Sequence, residues 1–120
     1  MNRDKIINKI SRVIIKIGSK ALAREDKISY DRIKFLADDI HLLRKSGIEC
    51  LVVSSGAILA GNEYFDFNLK RLNILRKQAV SSLGQVKLMS YYIKAFSRKG
   101  TNVSQPVSYT HLTLPTICSV

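Results

Sequence analysis

Arg12-Val13-Ile14-Ile15-Lys16-Ile17-Gly18-Ser19 is a β-branched apolar run closed by a glycine and a serine. It reads as a mostly buried strand running into a turn. Downstream, Ser29 to Lys45 carries Ile33, Leu36, Ile40 and Leu43 at steps of three and four, which puts them on one face of a helix. Ser29 suits the N-cap, Asp31 the first turn, Arg44 and Lys45 the last turn, and Gly47 the stop. Ile48 to Val53 (IECLVV) is a second buried strand, ended by Ser54-Ser55-Gly56. Strand, helix and strand joined by short links make a right-handed crossover, and therefore a parallel pair. The expected class is α/β.

Further along, Gly61 to Lys70 is a loop of mixed character, and Asn73 to Arg98 is one long helix. Gly84 inside that helix marks either a close packing contact or a kink. Gly100 stops it, and Thr101 to Gln105 begins a third strand. Pro106 to Val120 then breaks the pattern. It holds both prolines of the chain and none of its 20 Lys and Arg or 9 Asp and Glu. It is either an uncharged strand-turn-strand piece or a segment foreign to the protein, similar to a translated adaptor at the end of a truncated reading frame. The second reading is preferred, so residues 106–120 are expected to be a non-native tail with few contacts to residues 1–105.

Composition narrows the function. A chain of 120 residues supports one domain. No apolar run is long enough to span a membrane, and no signal-peptide stretch follows the basic start, so a cytoplasmic location is expected. Cys50 and Cys118 are too few and too far apart for a disulfide scaffold or a zinc site. Cys50 reads as a small buried hydrophobe, and His41 as a solvated helix residue. The net charge of +11 raises the alternative of a basic nucleic-acid-binding domain. However, the cations are spread out, and aromatic residues do not interleave with them as a single-strand platform requires. No nucleic-acid partner is expected from this segment.

Two strand ends carry the chemistry, because open α/β sheets take their ligands at the carboxyl ends of strands. At the first, Lys16 is costly inside an apolar strand unless its ammonium reaches water or an anion. It either snorkels from an edge strand or stands beside the Gly18-Ser19 turn, whose N–H groups can face phosphate oxygens. At the second, Ser54-Ser55-Gly56-Ala57 opens a short helix and is either an ordinary serine cap or an anion site. Gly56 and Gly61 have the spacing of a Walker loop, but Asn62 and Glu63 stand where Lys and Ser/Thr are required. No metal-ligand pattern occurs, and no metal ligand is expected from the protein.

Lys16-Ile-Gly-Ser followed by V-V-S-S-G-A-I-x-A-G resembles the amino acid kinase family. Lys77-Gln-Ala-Val-Ser-Ser-Leu-Gly-Gln-Val-Lys-Leu-Met-x-x-Tyr on the long helix is similar to its glutamate 5-kinase branch. The resemblance covers about Ser11 to Gln105. It implies a three-layer αβα sandwich with a mainly parallel sheet, of which residues 1–105 are the N-terminal part. It also implies ATP-dependent phosphorylation of the glutamate side-chain carboxylate, the first step of proline biosynthesis, with Mg²⁺ bridging ATP oxygens and a homo-oligomer when complete. By position, Lys16 becomes the catalytic cation on the phosphates, and Gly18 and Ser19 bind phosphate. Ser55, Gly56 and Ala57 hold the glutamate. An acetylglutamate kinase-like or aspartokinase-like enzyme is the alternative. Lys20 departs from the family, which has a small hydroxyl residue there. The family's later motifs, including an Asp and an Asn of the glutamate site, find no place in residues 106–120, so the chain reads as a fragment, inactive by itself.

Overall fold

The computed structural model describes residues 2–106 and 117–119. In chain order its elements are α1 (Arg3–Ile7), β1 (Arg12–Ile17), α2 (Ser19–Leu22), β2 (Ala23–Arg24), β3 (Lys27–Ile28) and α3 (Tyr30–Lys45). These are followed by β4 (Glu49–Ser54), α4 (Ala57–Asn62), a 3₁₀ turn (Leu69–Arg71), α5 (Ile74–Ser97), β5 (Val103–Ser104) and β6 (Ile117–Ser119).

β1 and β4 pair parallel, in register from Arg12↔Glu49 to Ile17↔Ser54. The helix between them starts where its cap chemistry dictates: the Ser29 hydroxyl accepts from the Arg32 N–H. It stops at Gly47, whose φ of +82° suits a glycine after a helix. The strand–helix–strand expectation therefore holds.

The sheet order is β1-β4-β6-β5. β6 runs antiparallel to both neighbours, so β1, β4 and β5 share one direction, and β1–β4 is the directly paired parallel couple. Within the expected tail, residues 107–116 and 120 lie outside the described residues. Ile117–Ser119 do not behave as the tail was expected to: they sit inside the sheet, pairing with Leu51 and Val52 on one side and Val103 and Ser104 on the other. The second edge of β4 offers unpaired N–H and C=O groups, and a short uncharged segment satisfies them.

Alternation along the strands divides the sheet into two faces. Val13, Ile15, Ile17, Cys50 and Val52 join a core with Ile33, Ala37 and Ile40 of α3 and Leu88, Tyr92, Ala95 and Phe96 of α5. On the other face Ile14 is 68% exposed and Lys16 is exposed. β1 is thus buried on one face, not both, and among the described residues it is an edge strand. Of the expected αβα stack, this sheet and its α3–α5 layer are what the described residues build around the core.

α5 is held at both ends. Asn73 caps it by accepting from the Arg76 N–H at 2.9 Å. Beyond its C-terminus, Arg98 and Lys99 pair with Asp38 of α3, and Arg44 donates to the Thr101 hydroxyl at 2.9 Å. Gly84 resolves as a packing contact: a Cβ there would lie 1.7 Å from the Ala57 carbonyl oxygen. α4 therefore crosses α5 backbone to backbone.

Candidate functional site

The parallel register brings the two sequence-selected strand ends together. β1 ends at Ile17, whose carbonyl accepts from the Ser55 N–H at 2.8 Å. That bond extends the ladder one step past β4 and sets the Gly18-Ser19 turn beside the Ser55-Gly56-Ala57 turn. Lys16 pairs with Val53, two residues before Ser55, on the sheet face away from the core. Among the described residues, Lys16 has no ion-pair or hydrogen-bond partner. Its ammonium is in solvent at the edge strand, where its solvation costs nothing in burial.

Gly18 caps α2 from extended backbone, and a Cβ built on it meets nothing within 4 Å. Nothing in the fold itself demands glycine there, and the surface above the peptide stays open. Ser19 is the first residue of α2, and Lys20 beside it is exposed.

Ser54 and Ser55 point to different environments. The Ser54 hydroxyl bonds to the Tyr92 hydroxyl at 2.7 Å and donates to the Ser55 carbonyl at 3.0 Å. Tyr92 is fully buried on α5, and burial pushes its pKa up, although the Ser54 bond works the other way. Ser55 is exposed. Gly56 follows with φ +117°, a left-handed conformation that side chains rarely adopt. A Cβ on Gly56 would also come within 3.1 Å of Ile28. Ala57 begins α4, with its carbonyl against Gly84.

Sequence reasoning missed the strut behind this loop. Glu63, at the end of α4, accepts the Ile28 N–H at 2.8 Å and pairs with Lys87 of α5. Lys87 also lies 5.0 Å from the Tyr64 ring centroid. Burial works against the Lys87 charge, but the hydrogen bond and charge of Glu63 outweigh it and raise its pKa above the ordinary lysine value. The strut fixes Ile28, the side chain standing over Gly56. Its members are 24 and 35 residues apart in the chain, and no local pattern announces them.

A cleft of about 650 Å³ lies elsewhere, lined by Glu25, Asp26, Leu59, Asp66, Phe67 and Lys70 among others. None of the sequence-selected residues lines it. Cys50 is buried, and burial pushes its thiol pKa up against the effect of Arg44, so it is not an activated nucleophile. Among the described residues, no group of three or more His, Cys, Asp and Glu could hold a metal ion. No helix among them is long and apolar enough to cross a membrane.

The family model for the amino acid kinases, "Amino acid kinase family", matches residues 11–111. The chain belongs to the amino acid kinase family. Within that family it is similar to the glutamate 5-kinase of Syntrophus aciditrophicus, 34% identical over 104 residues, which are 87% of this chain and 27% of that protein. The glutamate 5-kinase of Streptococcus uberis is 38% identical over 99 residues, 82% of this chain and 37% of that protein. That of Streptococcus thermophilus strain CNRZ 1066 is 41% identical over 97 residues, 80% of this chain and 36% of that protein. The chain thus spans roughly a quarter to just over a third of the length of these relatives. In this family setting, the two strand-end turns are the candidate site.

Proposed function

We propose that this segment supplies part of the phosphate and acceptor sites of an ATP-dependent kinase acting on the glutamate side-chain carboxylate to give glutamyl 5-phosphate. The observation that carries the reading is the Ile17–Ser55 backbone bond, which joins the Lys16-Gly18-Ser19 end to the Ser55-Gly56-Ala57 end. Phosphoryl transfer needs an acceptor oxygen held in line with a phosphate and positive charge at the moving group, not a covalent nucleophile. A free cation on one strand end and an exposed hydroxyl on the next fit those needs.

In this reading, Lys16 meets the charge that develops on the transferring phosphoryl group. Gly18 and Ser19 offer peptide N–H groups to phosphate oxygens, and the open surface over Gly18 allows close approach. Ser55 donates to the acceptor, with the peptide groups of Gly56 and Ala57 beside it. The donor set among the described residues does not fit a protein-held Mg²⁺.

Residues 1–105 are read as the N-terminal part of the kinase domain, and residues 106–120 as foreign to it. The loss of every charged residue after 105 supports that boundary. The sequence of the gene beyond the Gln105 codon tests it. The reading also includes a cytoplasmic location and self-association. Steady-state phosphorylation by the complete gene product, with glutamate, aspartate and acetylglutamate as acceptors, tests the activity. Preference for glutamate is expected, and preference for either rival overturns the substrate.

A further inference from the structure

The Ser55-Gly56-Ala57 turn leans on side chains from outside it. Where a Gly56 Cβ would stand, the Ile28 Cδ1 atom is 3.1 Å away, and the Cδ1 atoms of Leu22 and Leu88 are at 3.8 and 3.9 Å. Leu22 and Leu88 are carried by the helices α2 and α5. The nearest of the three, Ile28, comes instead from β3, a strand of two residues paired only with the two of β2. A hairpin that short does not hold itself in water. The place of Ile28 therefore depends on what else grips β3.

Two backbone donors supply the grip. The Ser29 N–H donates to the Leu22 carbonyl at 2.8 Å and ties the hairpin base to α2. The Ile28 N–H donates to Glu63 Oε1 at 2.8 Å. The other carboxylate oxygen of Glu63, Oε2, pairs with Lys87 of α5, and both side chains are largely buried. A bond from a peptide N–H to a carboxylate is charge-assisted and stronger than one between neutral groups. It also holds the main chain of Ile28, so it fixes the root of the side chain that meets Gly56. Glu63 is firmly mounted in turn, because it closes α4, which lies backbone to backbone on α5 at Gly61 and Gly84.

We propose that Glu63 is a positioning residue for the acceptor turn: through the Ile28 N–H it keeps the Ile28 side chain against Gly56. The proposal rests on the functional reading, in which that turn holds glutamate, and it adds a residue that touches no substrate there. The phosphate turn has its own supports. The Ser29–Leu22 bond and the Arg32 guanidinium on the Ala21 carbonyl, at 3.3 Å, hold α2 without Glu63. Glu63 therefore acts on acceptor binding and leaves ATP binding alone.

The test measures glutamate KM, ATP KM, kcat and the thermal unfolding midpoint in the complete gene product. Glu63→Ala should raise glutamate KM about tenfold and leave ATP KM within about twofold, a modest share of what a misplacement of about 1 Å can cost. Glu63→Gln keeps an oxygen for the Ile28 N–H and should recover most of the loss. Ile28→Val removes the Cδ1 methyl that approaches Gly56, a change that cores tolerate, and should also raise glutamate KM. Arg44→Ala, which loses the distant Thr101 bond, should lower the midpoint and move neither KM. If Glu63→Ala does not fold, Ile28→Val decides. Glutamate KM unmoved in the folded variants overturns the proposal, while glutamate turnover by the parent keeps the functional reading standing. Glutamate and ATP KM rising together overturns it as well, as does a Glu63→Gln variant no better than Glu63→Ala. A parent that does not phosphorylate glutamate overturns the functional reading and the proposal with it.

Discussion

Gly61 and Gly84 face each other where α4 crosses α5, so closely that a Cβ on Gly84 would lie 2.4 Å from the Gly61 nitrogen. A side chain on either residue would have to occupy backbone. The same crossing presses Ala57, the last residue of the Ser55-Gly56-Ala57 turn, against Gly84, its carbonyl oxygen 1.7 Å from such a Cβ.

Gly84→Ala should therefore destabilise the chain by about 3 kcal/mol, the upper range for overpacking, since rigid backbone and no flexible side chain must yield. The urea unfolding midpoint measures it. Alanine is intrinsically the better helix former by roughly 1 kcal/mol, so an unchanged or raised midpoint would mean that the two helices do not meet this closely.

A second prediction concerns alkaline pH. The folded-state pKa of Lys87 is raised, so its contribution is fully present below the ordinary lysine value of about 10.4 and is lost as pH rises through the raised value. Tyr92, also raised, acts in the same direction. Stability should fall as pH climbs past about 10, and Lys87→Met should flatten that fall. At neutral pH the same substitution should cost about 1.5–3 kcal/mol, because Glu63 loses its lysine partner at a site only 13% exposed. Urea titrations across pH for both proteins check the sign.

The legible parts of this fold were those written in local periodicity and caps. Ile33, Leu36 and Ile40 gave α3 its face, Ser29 and Gly47 gave its ends, and the apolar runs gave β1 and β4. The β2–β3 hairpin was hidden because its turn is Glu25-Asp26, with φ of 53° and 60°. Two-residue hairpin turns of that kind favour Asn-Gly or Asp-Gly, and no such signal is present. The Glu63–Lys87 strut was hidden because tertiary packing alone joins its ends. At the candidate site, the strand-end rule pointed to Lys16, Gly18, Ser19 and Ser55, and the Ile17–Ser55 bond sets their two turns side by side. The difference between Ser54 and Ser55 is explained in the structure by Tyr92, 38 residues from Ser54 in the chain. The placement of Ile117–Ser119 ran against the expectation of few contacts, because an open strand edge accepts partners with little regard to side chain.

A third prediction addresses Lys16. In the complete gene product, Lys16→Ala should lower kcat by about 10²–10³-fold, the scale for removing one donor aimed at developing charge. Glutamate KM should change far less, since the cation acts mainly in the transition state. The side chain is exposed, so folding should be unaffected and circular dichroism should match the parent. Retained turnover would leave Lys16 as a solvated edge-strand lysine.

The fourth prediction separates the adjacent serines. Ser55→Ala should raise glutamate KM by about 10- to 150-fold, the worth of a hydrogen bond to a charged carboxylate at roughly 1.5–3 kcal/mol. Ser54→Ala should instead cost stability, because it strands the hydroxyl of Tyr92, a residue with 0% exposure, at a penalty of about 1–3 kcal/mol. Glutamate and ATP KM, with thermal unfolding, should be measured for both variants and for Tyr92→Phe. Tyr92→Phe removes the other partner, so the Ser54→Ala/Tyr92→Phe double variant should lose less stability than the sum of the singles. If Ser54→Ala moves glutamate KM and Ser55→Ala does not, the acceptor loop is registered one residue too late. If neither moves it, Ser55 is only the residue that closes the ladder on Ile17, and the glutamate assignment loses its main side-chain support.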